Sequence, residues 1–213
     1  MRGQCLVVGG HSRGVGKTAL VVELVRSLRS HGHPVVTVKV SAHRHGSAVV
    51  VEEDTTPSPA TSTGRCLAAG ASRAFLCRCP DGHLAVACAL VDDLRASGLD
   101  VVVESNRLAT RLEPDLTFFV VSARTTDWKP SSAACLARAD AIVLSPGTDV
   151  VPWRVRPYLE PGGRASLLAF SAGWRVPGLA RWTGRGQPWT PHSPTHTPSQ
   201  TATAARSADP PTA

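Results

Sequence analysis

Apolar positions along the chain follow two spacings that take turns. Short β-rich runs occupy residues 4–8, 34–40, 73–78, 99–103, 116–121, 141–144 and 166–170. Between them, apolar residues recur at helical spacing. Residues 18–30 place Leu20, Val21, Leu24, Val25 and Leu28 on one face, and Gly32 follows as a stop. Residues 83–97 repeat a stripe through Leu84, Ala87, Val91 and Leu94 and end at Gly98. A short helix is predicted at residues 63–69, and residues 41 to about 62 read as a polar loop. Several strand runs are apolar throughout, as strands covered on both faces are. The alternation therefore predicts a doubly wound α/β domain with a mainly parallel sheet, whose function sits at the carboxyl ends of its strands.

The pattern stops near the C-terminus. After Leu179 there is no Val, Ile, Leu, Met or Phe, and seven of the 17 prolines lie from Pro177 onward. Such a segment cannot offset its ordering entropy by burial. The expected organisation is a folded domain over residues 1–175 and a disordered Pro/Ser/Thr-rich tail over 183–213. The longest apolar runs fall far short of the roughly 20 residues a membrane span needs, and the N-terminus lacks a signal-peptide pattern, so a cytoplasmic protein without membrane attachment is expected.

Charge and cysteines narrow the picture further. Of the net +7, residues 151–213 contribute 7 basic against 2 acidic side chains, and residues 1–150 are nearly balanced at 16 against 14. The C-terminal arginines are scattered among Pro, Ser and Thr rather than clustered, which argues against a nucleic-acid arm. The six cysteines contain no CxxC pair and read as free buried thiols, with Cys77 and Cys79, joined by Cys66 or Cys88, as a zinc alternative.

Chemistry concentrates after the first strand, in Gly9-Gly10-His11-Ser12-Arg13-Gly14-Val15-Gly16-Lys17-Thr18. Glycines let backbone amides turn toward phosphate oxygens, and a helix N-terminus adds its partial positive charge. Lys17 can reach the outer phosphates and the Thr18 hydroxyl can ligate magnesium. The usual spacing asks for glycine at position 11; counted from Gly10, the loop is one residue longer. Gly14 to Ala19 also satisfies a dinucleotide GxGxxA pattern, but such folds want an acidic residue after the second strand, where this chain has Lys39.

This lengthened loop resembles that of dethiobiotin synthetase and its cobyrinic-acid amidating relatives. The following order, Gly16-Lys17-Thr18, Val38-Lys39, His43-Arg44-His45, Thr63-Gly64-Arg65 and Ala69-Gly70-Ala71, is similar to the MobB family of GTP-binding adaptors in molybdopterin-guanine dinucleotide biosynthesis. Both families belong to the SIMIBI division of P-loop NTPases, and the similarity spans about residues 4–145. It departs where MobB proteins read Lys-His after strand two and Glu-Gly after the acidic strand; here Val40 follows Lys39, and Ser105-Asn106 follow Glu104. The resemblance implies magnesium with ATP or GTP. It implies a MobB-like adaptor that hands a nucleotide or cofactor to a partner enzyme, or a slow NTPase of cofactor metabolism, with an ATP-dependent ligase or kinase for a small anionic metabolite as the alternative. A homodimer is implied by analogy alone.

The expected site follows. Gly10, Arg13, Gly14, Val15, Gly16, Lys17, Thr18 and Ala19 bind nucleotide, Lys17 and Glu104 are catalytic, Thr18 and Glu104 face the metal, and the resemblance implies Asp54, after the second strand, as a further metal ligand. Lys39, Ser105 and Asn106 contact substrate. A carboxylate ending an apolar strand, as Glu104 does, is costly unless it meets a cation. His43 and His45 form a possible HxH pair, and Asp127-Trp128-Lys129-Pro130 is a further candidate wall. Asp149, after the 141–144 strand, and Ser171-Ala172, after the last strand, echo GTPase base-reading positions too faintly to choose the base.

Overall fold

The computed structural model describes residues 2–41, 48–159, 161, 163–171 and 173–183. Along it run β1 (Cys5–Gly10), α1 (Lys17–Ser30), β2 (Val35–Ser41), β3 (Val50–Asp54), α2 (Ser62–Ala68) and β4 (Arg73–Arg78). Then follow α3 (Leu84–Ala96), β5 (Asp100–Glu104), β6 (Leu116–Val121), α4 (Ser131–Leu136), β7 (Ala141–Leu144), β8 (Ser166–Ala169) and α5 (Ala180–Thr183). The eight strands form one sheet in the order β3-β4-β2-β5-β1-β6-β7-β8. Every pairing is parallel except β3 with β4. This is the α/β doubly wound architecture that the alternation of strands and helices predicts.

The strand pleat sends successive side chains into two cores. Leu6 and Val8 of β1 join Val102, Phe118 and Val143 beneath α1. Cys5 and Val7 face the other way, with Val101, Val103 and Phe119, beneath α3 and α4. Leu20, Leu24, Val25 and Leu28 of α1 are wholly buried, each such side chain stabilising by about 2 kcal/mol. The helix ends where Gly32 takes φ 82° and the amide of His33 donates to the Leu28 carbonyl at 3.2 Å, a left-handed closure that glycine accepts without strain. Among the described residues no helix is long and apolar enough to cross a membrane.

Two expectations need correction. The stretch read as a polar loop from 41 to 62 contains β3, an antiparallel edge strand. Its outward carboxylates are matched by β4: Arg73 holds Glu53 at 2.7 Å and Arg78 holds Glu52 at 2.6 Å. Charged side chains blunt an exposed sheet edge, and the same charges hide the strand from an apolar-pattern reading. The fold also extends beyond residue 175. Val176 and Leu179 are buried against α1's face, the Trp182 ring lies 5.8 Å from Phe118, and the hydroxyls of Ser27 and Thr183 share a hydrogen bond of 2.8 Å. Residues 184–213 of the expected tail, and His43 and His45, lie outside the described residues. All six cysteines are free thiols, and among the described residues no cluster of three or more His, Cys, Asp or Glu stands ready for a metal.

Candidate functional site

β1 lies between β5 and β6, so the chain winds to one side of it through α1 and returns to the other through β6. That reversal opens a crevice at the carboxyl ends of the central strands. The cleft there has a volume of about 1060 Å³. Its lining carries seven cations, Arg13, Lys17, Arg26, Lys39, Arg65, Arg107 and Lys129, against the carboxylates Glu23 and Glu104. So one-sided a lining suits an anion of several charges.

The loop between β1 and α1 forms the floor. Gly14 and Gly16 take φ 72° and 101°, the left-handed region, where side chains with a Cβ are disfavoured. Val15 anchors the turn in the core at 1% exposure, and its carbonyl accepts from the Ser145 hydroxyl. Helix α1 starts from Gly16 with no side chain capping it, so the first-turn amides are left facing the cleft, as at anion-binding helix N-termini. Lys17 donates to the Ser12 carbonyl across the loop. Burial brings its ammonium down to about 8.

His11, the residue standing where glycine is usual, does not enter the cleft. It is fully buried, stacks on Trp128 with ring centroids 4.7 Å apart, and donates from Nε2 to the Thr125 carbonyl at 3.2 Å. Burial holds its imidazole below the ordinary histidine range. The Trp128 segment is thereby a packing wall; its neighbour Lys129, whose ammonium is lowered by burial and by nearby Arg13, is the part that lines the cleft.

Strand register explains the cluster beside the loop. Glu104 pairs with Val8 of β1 and with Lys39 of β2, which puts the acid and the lysine on neighbouring parallel strands at the same height. Thr18 donates to Glu104 Oε2 at 2.8 Å, and Lys39 Nζ lies 3.0 Å from Glu104 Oε1. The same ammonium reaches Ser62 at 2.9 Å and Thr18 at 3.4 Å. Lys17, Thr18, Lys39 and Glu104 are thus brought together.

Other expected residues sit elsewhere or turn to other tasks. Asn106 grips the loop: its Oδ1 accepts from the Gly10 amide at 2.8 Å and its Nδ2 donates to the Gly10 carbonyl at 2.9 Å. Ser105 is buried, with its hydroxyl accepting from the Leu108 amide at 3.3 Å. Both still border the cleft. Asp54 does not. It lies at the end of β3, where Thr63 and Thr61 donate to it at 2.8 and 3.2 Å, next to the Thr61 hydroxyl that accepts from the Gly64 amide at the start of α2. Hydrogen bonds from the Thr56 amide and from Thr63 hold its carboxyl below the usual range. Asp54 is thus held by threonines at the sheet edge and is not among the residues that line the cleft.

Replacing Asn106 by alanine strands the Gly10 amide and carbonyl together. The expected cost is about 1–3 kcal/mol of stability, read by denaturant unfolding, with Asn106→Asp recovering less than half because a carboxylate cannot donate to the carbonyl.

The structure therefore defines a doubly wound α/β domain with a glycine loop leading into a helix at its switch point. No protein-family model matches the chain, and no curated protein matches it by sequence. Among solved structures, it is similar to LpxK from Aquifex aeolicus in its "apo" form in complex with ATP, at a TM-score of 0.47 and 17% identity, covering 79% of this chain and 54% of that one. It is also similar to an LAO/AO transport system kinase, at a TM-score of 0.44 and 22% identity, covering 70% of this chain and 42% of that one. The chain thus spans about half the length of these structures.

Proposed function

We propose that the chain binds a nucleoside triphosphate with magnesium and hydrolyses it slowly, in the manner of a P-loop NTPase. The observation that carries this reading is the uncapped start of α1 at Gly16, with Lys17, Thr18 and Glu104 converging on it. The donors present fit magnesium: a threonine hydroxyl and a carboxylate 2.8 Å apart are hard oxygens, and magnesium takes few protein ligands, completing its shell with phosphate and water. Bound there, the ion would neutralise charge on the outer phosphates. In this reading Lys17 and the loop amides hold the phosphates, Glu104 orients the attacking group, and Lys39 keeps Glu104 in place until ligand arrives.

A second reading is favoured by the cation surplus beyond the loop. Lys39, Arg65 and Arg107 extend the positive lining past the phosphate floor, enough for a small anionic acceptor, so that hydrolysis would become phosphoryl transfer or ligation. In the adaptor form of the first reading, a partner enzyme takes the metabolite's place. Phosphate release with ATP and GTP, alone and with a library of small carboxylates and phosphates, separates the two: stimulation by one metabolite favours transfer. Glu104→Gln should lower turnover by about 100-fold and leave nucleotide affinity within about tenfold. Turnover by Glu104→Gln at the wild-type rate would remove Glu104 from the chemistry.

A further inference from the structure

We propose that Trp174 is the stacking platform for the nucleobase, an inference that rests on the nucleotide reading above. Among the described residues, Trp174 is the one non-glycine with positive φ, at 60°. A bulky residue in that region is strained, and such strain is retained where surrounding structure or a ligand task enforces it. The ring is not placed there to fill a core. It remains 39% exposed, touches Phe170 edge-on at 5.1 Å, and otherwise lies over the loop, where a Cβ on Gly16 would come within 2.6 Å of its Cζ3.

Bonds on either side of Trp174 hold it. The Ser171 amide donates to the Arg175 carbonyl at 2.7 Å and the Trp174 amide to the Ser171 carbonyl at 3.2 Å. Arg175 then bridges to the buried Glu23 of α1 at 3.0 Å. This braces the indole beside the first turns of α1, where Ala19 and Val22 add apolar surface to a cleft lined by seven cations. A nucleotide has the matching polarity: charged phosphates for Lys17, Lys39 and Lys129, and a flat aromatic base for the apolar end. Indole faces stack on any base and gain most from the larger purines. No acceptor or donor side chain is needed for this, in keeping with the weak base-reading signal of the sequence.

Calorimetry on the full chain with magnesium and ATP, GTP or inorganic tripolyphosphate tests the assignment. Trp174→Gly is the truncation of choice, since glycine accepts the left-handed backbone without strain. It should weaken ATP and GTP by about tenfold or more, and leave tripolyphosphate within about twofold because the phosphate floor is untouched. Trp174→Phe should restore nucleotide binding to within about threefold of wild type. Equal loss of tripolyphosphate and nucleotide, no loss of either, or failure of phenylalanine to rescue would each overturn the platform. Wild-type protein that binds tripolyphosphate as tightly as ATP would remove the platform and keep the phosphate site. Wild-type protein that binds neither would remove both.

Discussion

Lys17→Ala is expected to weaken binding of a magnesium nucleoside triphosphate by about 100-fold, the value of a charge-assisted phosphate contact in a partly dehydrated site. The lysine reaches across the loop to the Ser12 carbonyl, which places its ammonium over the cradle made by the left-handed Gly14 and Gly16. Arginine at this position is not equivalent, because its planar fork does not fit a point-charge seat. Calorimetry at pH 7 measures the loss directly. A pH series adds a second signature. Burial lowers the ammonium of the ligand-free protein from 10.5 to about 8, and a bound phosphate favours the protonated form and raises it again. Binding above pH 8 must therefore take up a proton. Affinity should be flat with respect to this group below pH 8 and fall above it, approaching tenfold per pH unit, a slope that Lys17→Ala lacks. Wild-type affinity in the alanine variant would show that the loop holds no outer phosphate.

How far the sequence exposes this site depends on whether a residue's task is local. The loop is legible because its spacing, its glycines and its position between a strand and a helix are consecutive. Lys39 and Glu104 are legible one at a time, as polar residues ending apolar strands, but their meeting is not. It follows from β5 inserting between β1 and β2, which sets Lys39 level with Glu104. Asn106 looks like a substrate contact for the same reason that Glu104 looks catalytic, since it follows the acidic strand. Only the three-dimensional arrangement shows its two bonds to Gly10. Asp54 enters as a metal candidate through resemblance alone, as an acid after the second strand, and its place at the end of an edge strand, receiving threonine hydroxyls, is known only from the fold. Trp174 left no signal at all. A single aromatic after a glycine carries no periodicity, and its φ is invisible until the backbone is known.

The consecutive glycines that open the loop look interchangeable in the sequence, and they are not. Gly10 is a backbone-approach glycine: a Cβ there would lie 2.8 Å from the Val120 carbonyl oxygen. Gly9 is a packing glycine, where a Cβ would lie 2.2 Å from Cys135 Sγ and 2.6 Å from Asn106 Oδ1. Cys135 is fully buried in α4, with its thiol pushed up to about 12 by burial, so it serves here as a small packing group and has no room to retreat. Gly9→Ala must therefore displace α4 or push Asn106 off Gly10. Overpacking costs about 1–3 kcal/mol, and stranding the amide and carbonyl of Gly10 adds about 1–3 kcal/mol. The expected drop in melting temperature is about 10 °C, taking about 2–4 °C per kcal/mol for a chain of this size. Shaving the obstacle should give part of this back: in the double variant Gly9→Ala with Cys135→Ala, the two changes should couple by at least about 1 kcal/mol. Gly14→Ala is the contrasting control. Its Cβ meets nothing within 4 Å, so only the left-handed backbone resists it, at about 1 kcal/mol. A Gly9→Ala protein that melts with the wild type would mean that α4 does not press on β1 beneath the loop. The loop's seating would then rest on Asn106, Val15 and Ser145 without help from α4.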